Sequence, residues 1–201
     1  MKKIILFVAI LVTTIAMSQQ KAKVHTVNGI EVYILAEPVR QYEIINTAKN
    51  SVKWGSYLTG GLINESISTK VSKFVKKLLK DYTQKGIKFD AVLYTSGKNM
   101  TAIRFTDEET TTNKGVATIQ RLNGIPFFVM SEPIKEYKYI NTIGKGIKWK
   151  SLVTAGLLNN SIEQDLLKFA KKIENKYRKG KVNAVIYSNG KKAISILIQN
   201  I

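Results

Sequence analysis

The chain has 201 residues, of which 32 are lysine or arginine and 14 are aspartate or glutamate, so its formal charge at pH 7 is +18. Hydrophobic residues make up 44% of the chain, which is typical of a globular domain. The absence of cysteine excludes disulfides, thiol nucleophiles and iron–sulfur clusters, and a single histidine excludes a metal centre built from several histidines. We therefore expect neither a cofactor nor a metal site.

Residues 1–18 have the pattern of a secretory signal peptide. Met1-Lys2-Lys3 is basic, residues 4–16 form an apolar run, and Ala16-Met17-Ser18 places small residues at the −3 and −1 positions of a cleavage site. A helix over the apolar run would rise about 20 Å, less than the roughly 30 Å of a membrane core, which favours cleavage over an uncleaved anchor. The sequence predicts export to the periplasm or the medium, with no transmembrane span after cleavage.

After a short N-terminal segment, 19–26, the chain contains one unit twice. Val27-Asn28-Gly29-Ile30 corresponds to Leu122-Asn123-Gly124-Ile125, an offset of 95 residues that continues with about two identical positions in five. We predict a tandem duplication, with repeat 1 over 27–105 and repeat 2 over 119–201. Residues 106–118, rich in threonine and acidic residues, are predicted to be a solvated linker.

Each repeat is predicted to form two strands, a helix and two strands. Apolar residues recur with the helical period of 3.6 in both repeats. They are Ile67, Val71, Phe74, Val75, Leu78, Leu79 and Tyr82, and then Ile162, Leu166, Phe169, Ala170, Ile173 and Tyr177. Such a helix needs a sheet to cover its apolar face. We expect an α+β fold of two tandem ββαββ repeats, each an antiparallel sheet with one amphipathic helix packed on it, arranged as a pseudo-dimer.

The junction between the helix and the following strand resembles a known family. A basic amphipathic helix, a turn with glycine, and then Phe89-Asp90-Ala91-Val92-Leu93-Tyr94 or Val182-Asn183-Ala184-Val185-Ile186-Tyr187 are similar to YbjQ-type small α+β proteins. The similarity covers about forty residues in each repeat. That family is described as metal-binding and ring-forming. Since this chain adds a terminal hairpin and has no histidine or cysteine in its repeats, the resemblance implies the fold alone.

Few residues point to catalysis. His25 lies outside both repeats, where a solvated position is expected. Glu37 and Glu132 are matched carboxylates, and a carboxylate pair can act as the acid and base of a glycan or cell-wall hydrolase. Each, however, belongs to a different repeat and stands beside a proline, which a turn would explain. No phosphate-binding loop, G-x-S-x-G elbow or H-E-x-x-H motif is present. We predict that the protein is not an enzyme.

The charge pattern offers candidate binding residues. Lysines mark the polar side of both predicted helices, and such a surface attracts nucleic acid, anionic lipid or acidic polysaccharide, although it is also the ordinary solvated side of an amphipathic helix. Lys-Trp pairs at matching positions form either an aromatic–basic platform or part of the core. The candidate surface comprises Lys53, Trp54, Lys148, Trp149, Lys73, Lys77, Lys80, Lys168, Lys172 and Lys176. Only four basic residues are arginine, which argues against specific nucleic-acid recognition.

Three functions from different classes follow. The sequence favours an exported, non-enzymatic binding or structural protein of the bacterial cell envelope, whose partner is an unknown envelope protein. The alternative is a polyanion binder that acts through the lysine-rich helix faces. A hydrolase that uses Glu37 or Glu132 is the third. The ligand and the oligomeric state stay open.

Overall fold

The computed structural model describes residues 20–45, 52–53, 67–94, 99–143, 167, 170, 182–187 and 193–199. These residues form three layers: a helix, a large mixed sheet, and a four-stranded antiparallel sheet. One apolar cluster joins the helix to the large sheet, and a second joins the other face of that sheet to the small sheet. The large sheet is therefore covered on both faces.

The strands divide between the two sheets as follows. The large sheet contains β2 (Thr26–Val27), β3 (Ile30–Ile34), β5 (Tyr42–Ile44), β6 (Val52–Lys53), β7 (Ala91–Tyr94), β8 (Asn99–Phe105), β10 (Arg121–Leu122), β11 (Ile125–Val129), β13 (Tyr137–Ile143), β14 (Ala184–Tyr187) and β15 (Ala193–Ile198). Its main path runs β13-β15-β14-β11-β3-β7-β8-β5. The small sheet contains β1 (Lys21–Val24), β4 (Ala36–Pro38), β9 (Val116–Ile119) and β12 (Ser131–Pro133), in the order β12-β1-β9-β4. The helix, α1, is Ile67–Thr83.

The predicted fold of two antiparallel sheets is wrong. β3 pairs in parallel with β7, and β11 in parallel with β14, while Ile34 of β3 pairs antiparallel with Val129 of β11. One mixed sheet thus runs through both halves of the chain, and the structure is mostly β. The parallel pairing has a physical reason: a helix between two strands is long enough to make the crossover that parallel pairing needs. Full burial of β3 on both faces fits its central place in the sheet.

The small sheet joins the two halves of the chain, which we define as residues 20–105 and 116–199. β1 of the first half pairs with β12 of the second half, and β9 of the second half pairs with β4 of the first. β1 and β9 pair with each other at the centre. Neither half completes the small sheet by itself, and in the large sheet four strands of each half join into one, so the predicted pseudo-dimer of two separate sheets is also wrong. The segments predicted as an N-terminal extension and a linker contribute buried residues to this sheet, among them Ala22 and Ala117.

Backbone kinks carry the chain from one sheet to the other. Leu35, between β3 and β4, and Met130, between β11 and β12, have φ of 51° and 50°, which residues with a side chain rarely adopt. Both Asn-Gly pairs of the repeated unit lie in turns: Asn28 and Gly29 have positive φ, and so do Asn123 and Gly124. Positions 95 residues apart therefore share the same unusual backbone conformations.

The first predicted helix is confirmed as α1. Its residues Val71, Phe74, Val75, Leu78 and Tyr82 are buried against the large sheet, at the predicted spacing. Of the second predicted helix only Leu167 and Ala170 are described, and Ala170 is buried in the same cluster. The described part of the chain contains one helix rather than one in each repeat, which is a further departure from the predicted fold. No helix in the described ranges is long and apolar enough to span a membrane.

Candidate functional site

The exposed side of α1 is a row of lysines. Lys73, Lys76, Lys77 and Lys80 are all exposed, and their spacing of three and four residues places them on one side of the helix. The buried residues of α1 lie on the opposite side. The row rises about 10 Å along the helix axis. We call these four residues the α1 lysine face. Three of them, Lys73, Lys77 and Lys80, belong to the candidate surface predicted from the sequence.

The structure does not place the remaining candidate residues on this face. Lys53 lies in β6, where its backbone pairs with Asn99. The others, Trp54, Lys148, Trp149, Lys168, Lys172 and Lys176, lie outside the described residues. The aromatic–basic platform and the lysine row of the second repeat therefore stay predictions.

The two carboxylates of the hydrolase hypothesis lie far apart. Glu37 is on β4 and Glu132 is on β12, the two outer strands of the small sheet. Three inter-strand spacings separate them, about 14 Å, whereas the carboxylates of glycosidases are about 5–10 Å apart. Glu37 accepts a hydrogen bond from the Tyr42 hydroxyl. This arrangement does not bring the two groups to one substrate bond.

His25 has a more structured place than predicted. It is half-buried between β1 and β2, its amide donates to the Met130 carbonyl at 2.9 Å, and its carbonyl accepts from the Val32 amide at 3.1 Å. Its backbone thus links the small sheet to the large one. Among the described residues, no three His, Cys, Asp or Glu side chains are placed to hold a metal ion.

A cluster of charges that sequence reasoning missed lies on the face of the large sheet remote from α1. Arg40, whose side chain is 5% exposed, donates from Nε to Asp107 Oδ1 at 3.0 Å and from Nη1 to Glu109 Oε2 at 3.4 Å. Its Nη2 donates to the Asp107 carbonyl at 2.8 Å. Lys114 Nζ donates to Glu109 Oε1 at 2.8 Å. We call Arg40, Asp107, Glu109 and Lys114 the Arg40 cluster.

The Arg40 cluster fixes the acidic segment that was predicted to be a solvated linker. The Arg40 guanidinium also stacks over the Phe105 ring at 4.0 Å from its centroid. The hydrogen bond from Lys114 lowers the pKa of the Glu109 carboxyl, and the same bond raises the pKa of Lys114. Through Arg40, these contacts hold residues 107–114 against the first half of the chain.

A cleft of about 250 Å³ opens beside this cluster. Its wall includes Glu31, which is only 5% exposed, and the hydroxyl of Tyr33 donates to Glu31 Oε2 at 2.5 Å. Burial, and then the contact with Glu31, raise the pKa of Tyr33 well above its usual range. We call this feature the Glu31 cleft.

The second half of the chain lacks the buried carboxylate and the buried arginine at the corresponding positions. At the offset of 95 residues, Pro126 stands in place of Glu31, Phe128 in place of Tyr33, and Lys135 in place of Arg40. Phe128 is fully buried and Lys135 is exposed. These three differences between the halves can be read from the sequence, and they are the signal that could have indicated the cleft.

The stability of the protein is expected to fall above pH 10, in part through Tyr42. Burial and the hydrogen bond to Glu37 raise the pKa of Tyr42 to about 12, from an unfolded value near 10. The neutral phenol thus stabilises the fold fully below pH 10, and this contribution is lost as the pH rises towards 12. Urea denaturation between pH 9 and 12 should show a shallower decline for Tyr42→Phe than for the wild type. Parallel curves would contradict this assignment.

Comparison of the chain with protein-family models, curated proteins and solved structures finds no match in any of the three. The resemblance to YbjQ-type proteins therefore stays a prediction, and the proposals below depend on the geometry of the chain itself.

Proposed function

We propose that the protein is an exported, non-enzymatic binding protein that attaches to polyanions through the α1 lysine face. The observation that carries this proposal is the placement of four exposed lysines on one side of a helix whose other side is buried in the core. The helix is held by its apolar side, so the four lysines project from fixed backbone positions along one side of it. Export is proposed from the signal-peptide pattern of residues 1–18.

The distribution of acidic residues supports this choice of surface. α1 contains five lysines and one acidic residue, Asp81. Asp107 and Glu109, by contrast, lie across the large sheet, where they pair with Arg40 and Lys114. These ion pairs neutralise part of the cationic charge at the acidic segment. The high proportion of lysine in α1 favours its attraction to an anionic surface.

The chemistry of the row favours a polyanion over a particular envelope protein as the partner. Lysine presents a hydrated point charge on a flexible stem, which suits repeated anionic groups better than a single group read in fixed geometry. A sulfated or carboxylated polysaccharide, met outside the cytoplasm, is the ligand class that we favour.

The test compares two variants of equal charge. Lys73, Lys76, Lys77 and Lys80 are changed together to glutamine, whose helix propensity is similar to that of lysine. In the matched control, the exposed Lys21, Lys88, Lys135 and Lys138 are changed to glutamine. Binding to a fluorescent heparin oligosaccharide is measured by anisotropy from 50 to 200 mM salt.

The α1 variant should bind about tenfold more weakly at physiological salt and show a shallower dependence on salt, because fewer counterions are released. The control should lose less than about threefold. Equal losses in the two variants would show that net charge alone drives binding, and wild-type binding no tighter than that of an unrelated protein of the same charge would also refute the proposal.

A further inference from the structure

The Glu31 cleft contains a buried carboxylate with one oxygen that lacks a partner. Oε2 of Glu31 accepts from the Tyr33 hydroxyl, and among the described residues no side chain or amide donates to Oε1. Glu31 is 5% exposed, yet Oε1 is not among the fully buried, unpartnered side-chain atoms of the described residues, so this oxygen is reached from the cleft. A buried carboxylate without a cation is costly, so a site that keeps one is suited to a cation from outside.

The cations nearest to the cleft already have other partners. Arg40 is held by Asp107 and Glu109, and Lys114 by Glu109. Lys23 donates from Nζ to the Lys114 carbonyl. Among the described ion pairs none includes Glu31. In a chain of formal charge +18, Glu31 is thus an acidic group without a direct ion pair, although its charge also acts on Lys114 in the same wall.

The shape of the cleft leaves room at the free oxygen. Gly115 has φ of +61°, and a Cβ atom added there would lie 3.6 Å from Glu31 Oε1 and 3.5 Å from the Lys23 side chain. The glycine thus adds no side chain of its own beside Oε1, although the Lys23 side chain lies close to the same point. Phe89 and Phe105 supply apolar wall, and Asp90, also in the wall, accepts a hydrogen bond from the Phe105 amide at 2.9 Å.

We propose that the Glu31 cleft binds a small organic cation, an alkylammonium or alkylguanidinium group, whose N–H donates to Glu31 Oε1 while its alkyl chain lies against Phe89 and Phe105. The volume of about 250 Å³ is below the range of drug-sized sites, so the ligand is small. The site belongs to the first half only, because Pro126 replaces Glu31 in the second. It includes none of the lysines of the α1 lysine face, although its wall residue Phe89 packs against Tyr82 of α1 with 5.4 Å between the ring centroids.

Titration of the full-length mature protein with n-butylammonium and n-butylguanidinium, followed by NMR chemical shifts, tests the proposal. Saturable binding with a Kd below about 10 mM is expected for at least one of the two, since a ligand of five to eight heavy atoms is limited to weak affinity. Tetramethylammonium, which has the same charge and no N–H donor, should bind at least about tenfold more weakly.

Glu31→Gln should weaken binding at least about tenfold. Glu108→Gln, which removes the same charge from an exposed residue of the acidic segment, should change the Kd less than about twofold. The thermal unfolding curve of Glu31→Gln establishes that the variant is folded. If it is not, the comparison of butylammonium with tetramethylammonium in the wild type decides.

No saturable binding, equal binding of tetramethylammonium, or unchanged binding in a folded Glu31→Gln variant would each overturn the proposal. The α1 glutamine variant keeps all residues of this cleft, so it should bind the organic cation as the wild type does. A failure of the cation proposal is therefore distinguishable from a failure of the polyanion proposal.

Discussion

Phe74→Ala is expected to lower the free energy of unfolding by about 4 kcal/mol, within the range measured when buried aromatic side chains are truncated. Phe74 is 2% exposed and lies at the centre of the buried side of α1, in the cluster that joins the helix to the large sheet. Its removal takes away apolar burial and opens a cavity in the layer between α1 and the large sheet. Chemical denaturation followed by circular dichroism measures the change.

Lys76→Ala is the matched control on the opposite side of the same helix. Lys76 is exposed, so this substitution should change stability by less than about 0.5 kcal/mol. A loss below about 1 kcal/mol for Phe74→Ala would mean that α1 does not depend on this contact, and the rigid lysine row would then lose its basis.

Arg40→Met is expected to cost about 3 kcal/mol, because it leaves Asp107 without its cation and Glu109 with Lys114 alone. The side chain of Arg40 is 5% exposed, whereas those of its partners are 29% and 46% exposed, so water partly compensates the stranded carboxylates. The methionine keeps much of the apolar contact with Phe105. The loss therefore reports mainly on the ion pairs and the three hydrogen bonds.

Lys135→Met provides the control, because Lys135 occupies the corresponding position in the second half and is exposed. It should change stability by less than about 0.5 kcal/mol. Arg40→Lys should recover only part of the loss, since an ammonium group cannot reproduce the planar fork of the guanidinium. If Arg40→Met and Lys135→Met behaved alike, the Arg40 cluster would not contribute to the fold.

Local features of the fold were predictable from the sequence. The spacing of Val71, Phe74 and Leu78 predicts the buried side of α1, and the Asn-Gly pairs predict turns with positive φ. Both depend on residues that are close in sequence. The lysine face follows from the same periodicity, since a helix that buries one side exposes the other.

Strand order was not predictable by the same means. The β-rich residues of 30–36 predict a strand, but its pairing with β7 and with β11 depends on segments far along the chain. Because this run contains Glu31, its pattern does not indicate a strand that is buried on both faces. The pairing of β1 with β12 and of β9 with β4 joins the two halves, and no local sequence pattern predicts it. Two similar units can form such pairs either within or between themselves, with similar contacts.

The Glu31 cleft was missed for a related reason. Its charged groups come from β3, from Arg40 after β4, and from the acidic segment near Glu109, so no single stretch of sequence contains the motif. Acidic residues in a threonine-rich segment are typical of a solvated loop. Only the packing of that segment on Arg40 turns it into part of a site.

Cross-linking across the small sheet tests the central structural claim, the pairing of the two halves, most directly. The chain has no cysteine, and Lys23 lies opposite Glu132 in the β1–β12 pair. Directly opposed residues in antiparallel strands are close enough for a disulfide, whereas residues two strands apart, about 10 Å, are not. Non-reducing electrophoresis and peptide mapping should therefore show an intramolecular disulfide after oxidation of Lys23→Cys/Glu132→Cys, and none for Lys23→Cys/Glu37→Cys. A disulfide in the 23/37 variant without one in the 23/132 variant would mean that each half closes on itself, and would contradict the exchange of strands.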